Sequence, residues 1–509
     1  MLFNSFAFAI FISLFTIVYY TISIRYRLVC MLLASLVFYM FANLIMIFIP
    51  FIIIAVSFWS GKQIQKEVSE RKQKAILTLA VVVNISILLF YKYIGFFLTS
   101  FVQISDWVKP DFANISFHNN PYWITTLAIP LGISYISFQS IGYLLEINRG
   151  IIQAEKSILK LSAYLLYFPK LIAGPVERAS HFLPQLTRLV EFDYVNVTAG
   201  IRQIGWGLFK KLMIADRIGI YVNHVYLDIH QNQGLALLIA VFLYPMQLYC
   251  DFSGYTDMAI GVSKILGYEL KPNFNKPFSA KSMVEFWRKW HISLSTWFND
   301  FFYTPLAIQK RDWGKWAVVF ASMCTFLLLG LWHGPNWTFV FFGGIHGILI
   351  AIELFTNTQR KKISNRIPAW ANSLFGICYV YLVFSFSCIY FRSETISKAG
   401  YLISHSFSKI ENLTSLYVWK ETLQNNLLGR IDCIIITCSL VLMFIVEWKN
   451  ILDKIPQIPT LLRWAVYYLF IISLFVYGVN SGQNFIYKQF QTVVNGKQIF
   501  CKEMIHEEA

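Results

Sequence analysis

Charge is scarce in this chain. Lys, Arg, Asp and Glu make up 14% of its 509 residues, against 57% hydrophobic residues and a mean hydropathy of +0.54. That balance excludes a water-soluble globular domain. Eight cysteines (Cys30, Cys250, Cys324, Cys378, Cys388, Cys433, Cys438, Cys501) contain no CxxC pair. Most of them lie in apolar runs, where Cys behaves as a small hydrophobe, so neither a disulfide framework nor a zinc site is expected. The chain also lacks a Gly-rich phosphate loop, a GxSxG elbow, an HExxH pair and paired carboxylates suited to glycoside chemistry. It has no Pro/Ser-rich linker, no low-complexity tract and no repeat of fixed period. One membrane domain over 1–509 is the economical reading, with a polar core at about 129–347.

The charge that is present is one-sided, with 43 basic residues against 27 acidic and a net +16. Nucleic-acid binding is not needed to explain it, because basic residues collect in the cytoplasmic loops of polytopic proteins. Phe 46, Tyr 28 and Trp 15 suit a protein with many helix ends at lipid headgroups. Long apolar runs lie near 3–22, 28–43, 45–59, 76–101, 123–147, 200–226, 234–262, 316–332, 336–355, 369–391, 431–447 and 462–481. Each approaches the length needed to cross a ~30 Å hydrocarbon core, although 28–43 and 45–59 are short enough to form one hairpin. The first run lacks a basic leader and a cleavage site, so it is expected to be a retained spanning helix. Run 158–175 is broken by Pro169, Gly174 and Pro175, which predicts a re-entrant or interfacial element.

Basic loops give an orientation. Arg25 and Arg27, the stretch Lys62–Lys74, Arg149 with Lys156, and Arg360–Lys362 with Arg366 should face the cytoplasm. The N-terminus is then outside, as is the loop from Ser105 to Tyr122, which holds Asp106, Asp111 and Lys109.

Polar groups concentrate in the middle of the chain. The run Leu327–Gly347 contains no Lys, Arg, Asp or Glu, yet it carries His333 and His346. An ionisable group at membrane depth is costly and reads as functional by default. Gly330, Gly334 and Pro335 should break the helix at His333, which a bilayer tolerates only where the freed backbone is buried in protein or lines a cavity. The bland alternative is a structural histidine bonded between helices. Asp251 and Asp257 sit in LYCDFSGYTDMAIG, where Gly254 is expected to loosen the helix so that both carboxylates face the interior. For Asp257 a structural hydrogen-bonding role is favoured, whereas Asp251 stays open between structure and function. The stretch Phe286–Leu306 is aromatic and basic, with His291 at its centre and Asn299-Asp300 after it. As one helix it would align Trp290, Leu294 and Trp297 and lie half-sunk in the interface. On its own such an element is more often an anchor, but Arg288 and Lys289 suit the phosphates of an anionic donor.

Five blocks then resemble, in order, the signature segments of the membrane-bound O-acyltransferases: GISYISFQSIGYLLEINRG, FPKLIAGPVERAS, LYCDFSGYTDMAIG, FWRKWHISLSTWFNDFFYTPL and LGLWHGPNWTFVFFGGIHG. The bacterial branch of alginate O-acetylases and teichoic-acid D-alanyl transfer proteins is most similar, and MLFNS and GQNFIYKQF extend the likeness to both ends. The resemblance implies an all-α polytopic membrane protein, with about 11–12 transmembrane helices and re-entrant or interfacial helices around a central tunnel. It places the essential histidine at His333 and a second polar residue at His291. Donor or substrate contacts would involve Arg288, Lys289, Asp251, Asn299, Asp300 and His346. It implies no metal and no bound cofactor, with an acyl thioester, acetyl-CoA-like or on an acyl carrier, as co-substrate. The acceptor would be an exported polysaccharide or carrier, and the partners the lipid bilayer and an extracytoplasmic acetyltransferase rather than nucleic acid. The location would be the bacterial cytoplasmic (inner) membrane. Leu329, Asn299, Glu146 and Ala307-Ile308 depart from the family pattern; neither histidine does.

His is the side chain whose unperturbed pKa suits a base for acyl transfer to a hydroxyl near neutral pH. His333 would deprotonate the acceptor or carry the acyl group itself. A transporter or flippase would use the same buried polar residues and broken helices without chemistry, but would be expected to show an inverted repeat. A structural scaffold would tolerate loss of both histidines.

Overall fold

In the computed structural model the described residues are 3–41, 45–108, 129–188, 190–408, 414–479, 485–486, 493–494 and 497–498. The segment 109–128, most of the expected outward loop, and most of the closing GQNFIYKQF block lie outside them, as does Cys501. The described chain is helical apart from one antiparallel pair, Val493–Val494 with Lys497–Gln498.

Eight helices among the described residues are long and apolar enough to cross a membrane: Ile45–Lys66, Glu70–Phe101, Leu235–Ile265, Lys315–His333, Trp337–Ser364, Ala369–Arg392, Arg430–Lys449 and Thr460–Tyr477. The protein is a multi-pass membrane protein. The described parts of the other apolar runs are mostly helical too, in shorter pieces. Phe6–Thr21 has 16 residues, Arg27–Met40 has 14 and Ile133–Asn148 has 16. Run 200–226 is divided, with a π-helical stretch Lys210–Ala215 joining Tyr194–Phe209 to Asp216–Leu227.

The chain packs as two compact units that interleave in sequence. Among the described residues, the first draws on 3–201, 259–271, 493–494 and 497–498, and the second on 202–258 and 272–486. In the first, Phe8, Phe11, Phe15, Phe38 and Phe168 form one aromatic cluster. Two buried hydroxyls and an amide tie three of its helices: Ser57 Oγ lies 2.5 Å from Ser140 Oγ, which donates to Asn84 Oδ1 at 2.9 Å. The break expected in run 158–175 is present: helix Ile158–Leu166 stops short of Pro169, and a 3-10 turn Phe168–Lys170 follows. Glu146 receives Ser180 N–H at 2.8 Å and Ser180 Oγ–H at 3.0 Å.

The second unit holds every candidate site residue. Its frame is the hairpin of Lys315–His333 and Trp337–Ser364. Gly330 and Gly343 let these helices touch: a Cβ on Gly330 would overlap the Phe339 carbonyl oxygen, and one on Gly343 that of Phe326. Ala369–Arg392 packs beside them through Phe391, whose ring lies 5.1 Å from both Phe342 and His333.

Candidate active site

His333 is the last residue of its helix. Gly334 follows in extended backbone, and Asn336 starts the next helix by accepting Thr338 N–H at 3.0 Å. The Gly/Pro break expected there is real. His333 is buried, with the rings of Trp332, Phe391, Phe342 and Phe339 at 5.1, 5.1, 6.2 and 6.4 Å.

His291 lies at the other side of Trp332: its ring is 5.8 Å from the indole and 4.8 Å from Phe252. The structure therefore brings the two sequence-selected histidines to one aromatic wall. It corrects the element that carries His291. Phe286–Leu306 is not a single amphipathic helix. Met283–Lys289 ends, His291 turns through a left-handed conformation (φ 45°, ψ 52°), and Ile292–Phe298 begins. Trp290, Leu294 and Trp297 are all buried in protein instead of facing an interface. A non-glycine residue in that region is uncommon and needs its surroundings to hold it.

Residues 273–275 do the holding. Asn275 N–H donates to Lys289 O at 3.0 Å and Ile292 N–H to Asn273 O at 2.9 Å, satisfying backbone groups freed by the break. Asn273 Oδ1 accepts Ser293 N–H at 3.2 Å and Ser293 Oγ–H at 2.8 Å, and faces His291 Nδ1 at 3.2 Å. Burial pushes the His291 imidazole down to about 3, so it is neutral at ordinary pH.

The remaining candidates occupy distinct surroundings. Arg288 is exposed. Lys289 Nζ pairs with Glu285 Oε1 at 2.7 Å and donates to Ser279 Oγ at 3.0 Å. Asn299 and Asp300 are exposed in a π-helical turn and bonded to each other at 3.0 Å. His346 is fully buried; Trp287 Nε1–H reaches its Nδ1 at 3.4 Å and its Nε2 meets Ser387 Oγ at 3.1 Å. Because Ser387 Oγ–H donates to Phe384 O at 2.8 Å, Nε2 is the donor toward Ser387.

Asp251 belongs to a buried ionic cluster. Lys211 Nζ lies 2.6 Å from Asp251 Oδ1 and 2.8 Å from Asp216 Oδ1, while Asp251 Oδ2 accepts Ile486 N–H at 2.8 Å. Asp257 has a separate partner, Lys210, at 2.5 Å, which also meets Glu447 at 3.2 Å. Gly254 does not loosen the helix, which runs unbroken from Leu235 to Ile265. It serves close packing instead: a Cβ there would press on Gly207 O at 2.8 Å.

Sequence reasoning missed Asn273, Lys210, Lys211 and Asp216. For the last three a signal existed, since charges inside an apolar run require partners. Asn273 gave none, because its partner lies 18 residues away across a turn.

Comparison with known proteins settles the class. The sequence profile of the membrane-bound O-acyltransferase family matches residues 152–392. A probable alginate O-acetylase of Pseudomonas syringae pv. tomato is 33% identical over 400 residues, covering 78% of this chain and 73% of that protein. This chain belongs to the membrane-bound O-acyltransferase family. Within the family, a peptidoglycan O-acetyltransferase of Helicobacter pylori is 29% identical, covering 72% of this chain and 71% of its own. A teichoic acid D-alanyltransferase of Bacillus subtilis is 31% identical over 50% of this chain and 68% of its own. The protein is therefore an acyltransferase, and a flippase without acyl chemistry or a passive scaffold is set aside.

Proposed function

We propose that this acyltransferase moves an acyl group, most simply acetyl, from a cytoplasmic thioester to a hydroxyl of an exported envelope polysaccharide or carrier. It does so as one membrane domain in the bacterial cytoplasmic membrane, with its N-terminus outside and a passage between the two faces. His333 is the general base toward the acceptor hydroxyl or the residue that carries the acyl group; His291 is its partner on the donor side. The observation that carries this reading is the pair of buried imidazoles flanking Trp332, one of them at a helix break in a charge-free run. A neutral imidazole costs less to bury than a charge, and it is the form that accepts a proton. Arg288, exposed at the end of the helix leading to His291, suits the donor's phosphates. An extracytoplasmic acetyltransferase is the enzyme's expected partner.

The test uses purified full-length protein and radiolabelled acetyl-CoA. Thioester turnover that is lost in His333→Ala is expected. No turnover by wild-type protein with either acetyl-CoA or an acetylated carrier would overturn the donor assignment.

A further inference from the structure

Asn273 stands outside every block that carries the family resemblance, yet three donors converge on its Oδ1: Ser293 N–H, Ser293 Oγ–H and His291 Nδ1. Asn273 is buried, so these contacts are made in a site closed to solvent. The backbone N–H of Ser293 can only donate, so the amide atom facing it is the oxygen. An amide oxygen can only accept, so His291 Nδ1 must carry the proton. The other ring nitrogen, Nε2, is then the one with a lone pair. We infer that Asn273 is a positioning residue that fixes the tautomer of His291, presenting Nε2 as a hydrogen-bond acceptor toward the site. This rests on the reading of His291 as part of the acyl-transfer machinery.

Among the described residues, the group facing His291 Nδ1 is a neutral amide. From the helix Leu235–Ile265 the neighbour is the Phe252 ring at 4.8 Å, while Asp251 beside it is engaged with Lys211. From Lys315–His333 it is the Trp332 ring at 5.8 Å, with His333 next in sequence. On its own stretch, Lys289 is paired with Glu285 and Arg288 is exposed. A carboxylate at position 273 would make the opposite choice from an amide: it would stabilise the imidazolium and remove the accepting lone pair on Nε2. An amide holds the ring's orientation without charging it. It also pins the left-handed backbone of His291, since the main chain of Asn273 accepts Ile292 N–H at 2.9 Å.

The experiment compares pH profiles of acetyl-CoA turnover for the wild type, Asn273→Asp, Asn273→Ser and His291→Ala. Each is purified full-length and checked for a monodisperse peak in detergent. The aspartate is nearly isosteric. It should raise the pH at which activity falls off on the acid side by roughly one to three pH units, the usual effect of an opposite charge at this range. Asn273→Ser can donate as well as accept, so it frees the tautomer. It should lower kcat by roughly 10–100-fold with KM little changed, as for other partners that orient an imidazole. It carries the test if the aspartate variant fails to insert. A merely structural role for Asn273 would lower the yield of folded protein without moving the acid limb. An unshifted profile in Asn273→Asp, or wild-type kcat in Asn273→Ser, overturns the inference while His291→Ala is inactive. Wild-type turnover by His291→Ala instead overturns the underlying reading of His291.

Discussion

At the scale of the residue, His333 stood out because an imidazole in a charge-free apolar run is costly, and His291 because it sits at the centre of an aromatic, basic stretch. Their functional weight is separable from their packing. General-base help is worth roughly 10²–10⁴ in rate, so His333→Ala should reduce acyl transfer by at least about that factor while membrane insertion is retained. His333→Gln keeps some hydrogen-bonding capacity within its shell of Trp332, Phe342 and Phe391 but lacks the base. It should fail as well. A purely structural histidine gives the reverse pattern, Gln active and Ala poorly expressed, so both variants are to be measured for expression and for label transferred from acetyl-CoA. Asn273 was not legible because nothing in its local pattern announces a partner; only the fold brings it to Ser293 and His291. Lys211 differs again. Removing its charge in Lys211→Met would strand Asp251 and Asp216, both buried, without their counter-ion. Breaking a buried pair this way costs about 3–5 kcal/mol, and a large fall in the thermal unfolding midpoint is expected, matched by little loss in Asp300→Asn, whose carboxylate is exposed.

At the scale of the element, the helix break at His333 followed from Gly334 and Pro335, because those residues act through the backbone alone. The stretch around His291 misled for a physical reason. Trp290, Leu294 and Trp297 bury equally well against lipid or protein, so their spacing cannot say which, and the left-handed turn at His291 depends on bonds from 273–275. The hairpin that presents His333 makes a sharper prediction. Gly343 has no room for a methyl group against the Phe326 carbonyl, whereas a methyl on Gly344 would rest at 3.6 Å from Leu327, an ordinary contact. Gly343→Ala must push the two helices apart, at an overpacking cost of about 1–3 kcal/mol, and should depress both the unfolding midpoint and acyl transfer. Gly344→Ala should match the wild type in both. Equal behaviour of the two variants would mean that this crossing does not set the position of His333.

At the scale of the molecule, each of the eight described helices long and apolar enough to span lies on an apolar run read from the sequence, because in a bilayer the backbone leaves little choice but helix. The interleaving of the two units escaped it, since it depends on which distant segments pack together. Orientation rests on charge. Trp337–Ser364 carries Lys361 and Lys362 in its last turn, and with Ala369–Arg392 crossing back Leu416 is expected on the face opposite Lys361. Lys66 closes Phe48–Lys66 in the basic stretch Lys62–Lys74. Lys66, Lys361 and Leu416 are all exposed and can accept a cysteine without disturbing the core. In a background lacking the exposed Cys378 and Cys438, a membrane-impermeant thiol reagent applied to intact spheroplasts should label Leu416→Cys and spare Lys66→Cys and Lys361→Cys. Inside-out vesicles should invert the pattern. On the proposed route the direction matters for the chemistry, because it decides which face of the His291–Trp332–His333 wall would meet the donor and which the acceptor. Labelling of Lys66→Cys and Lys361→Cys from outside would put the basic loops on the wrong side and reverse donor and acceptor.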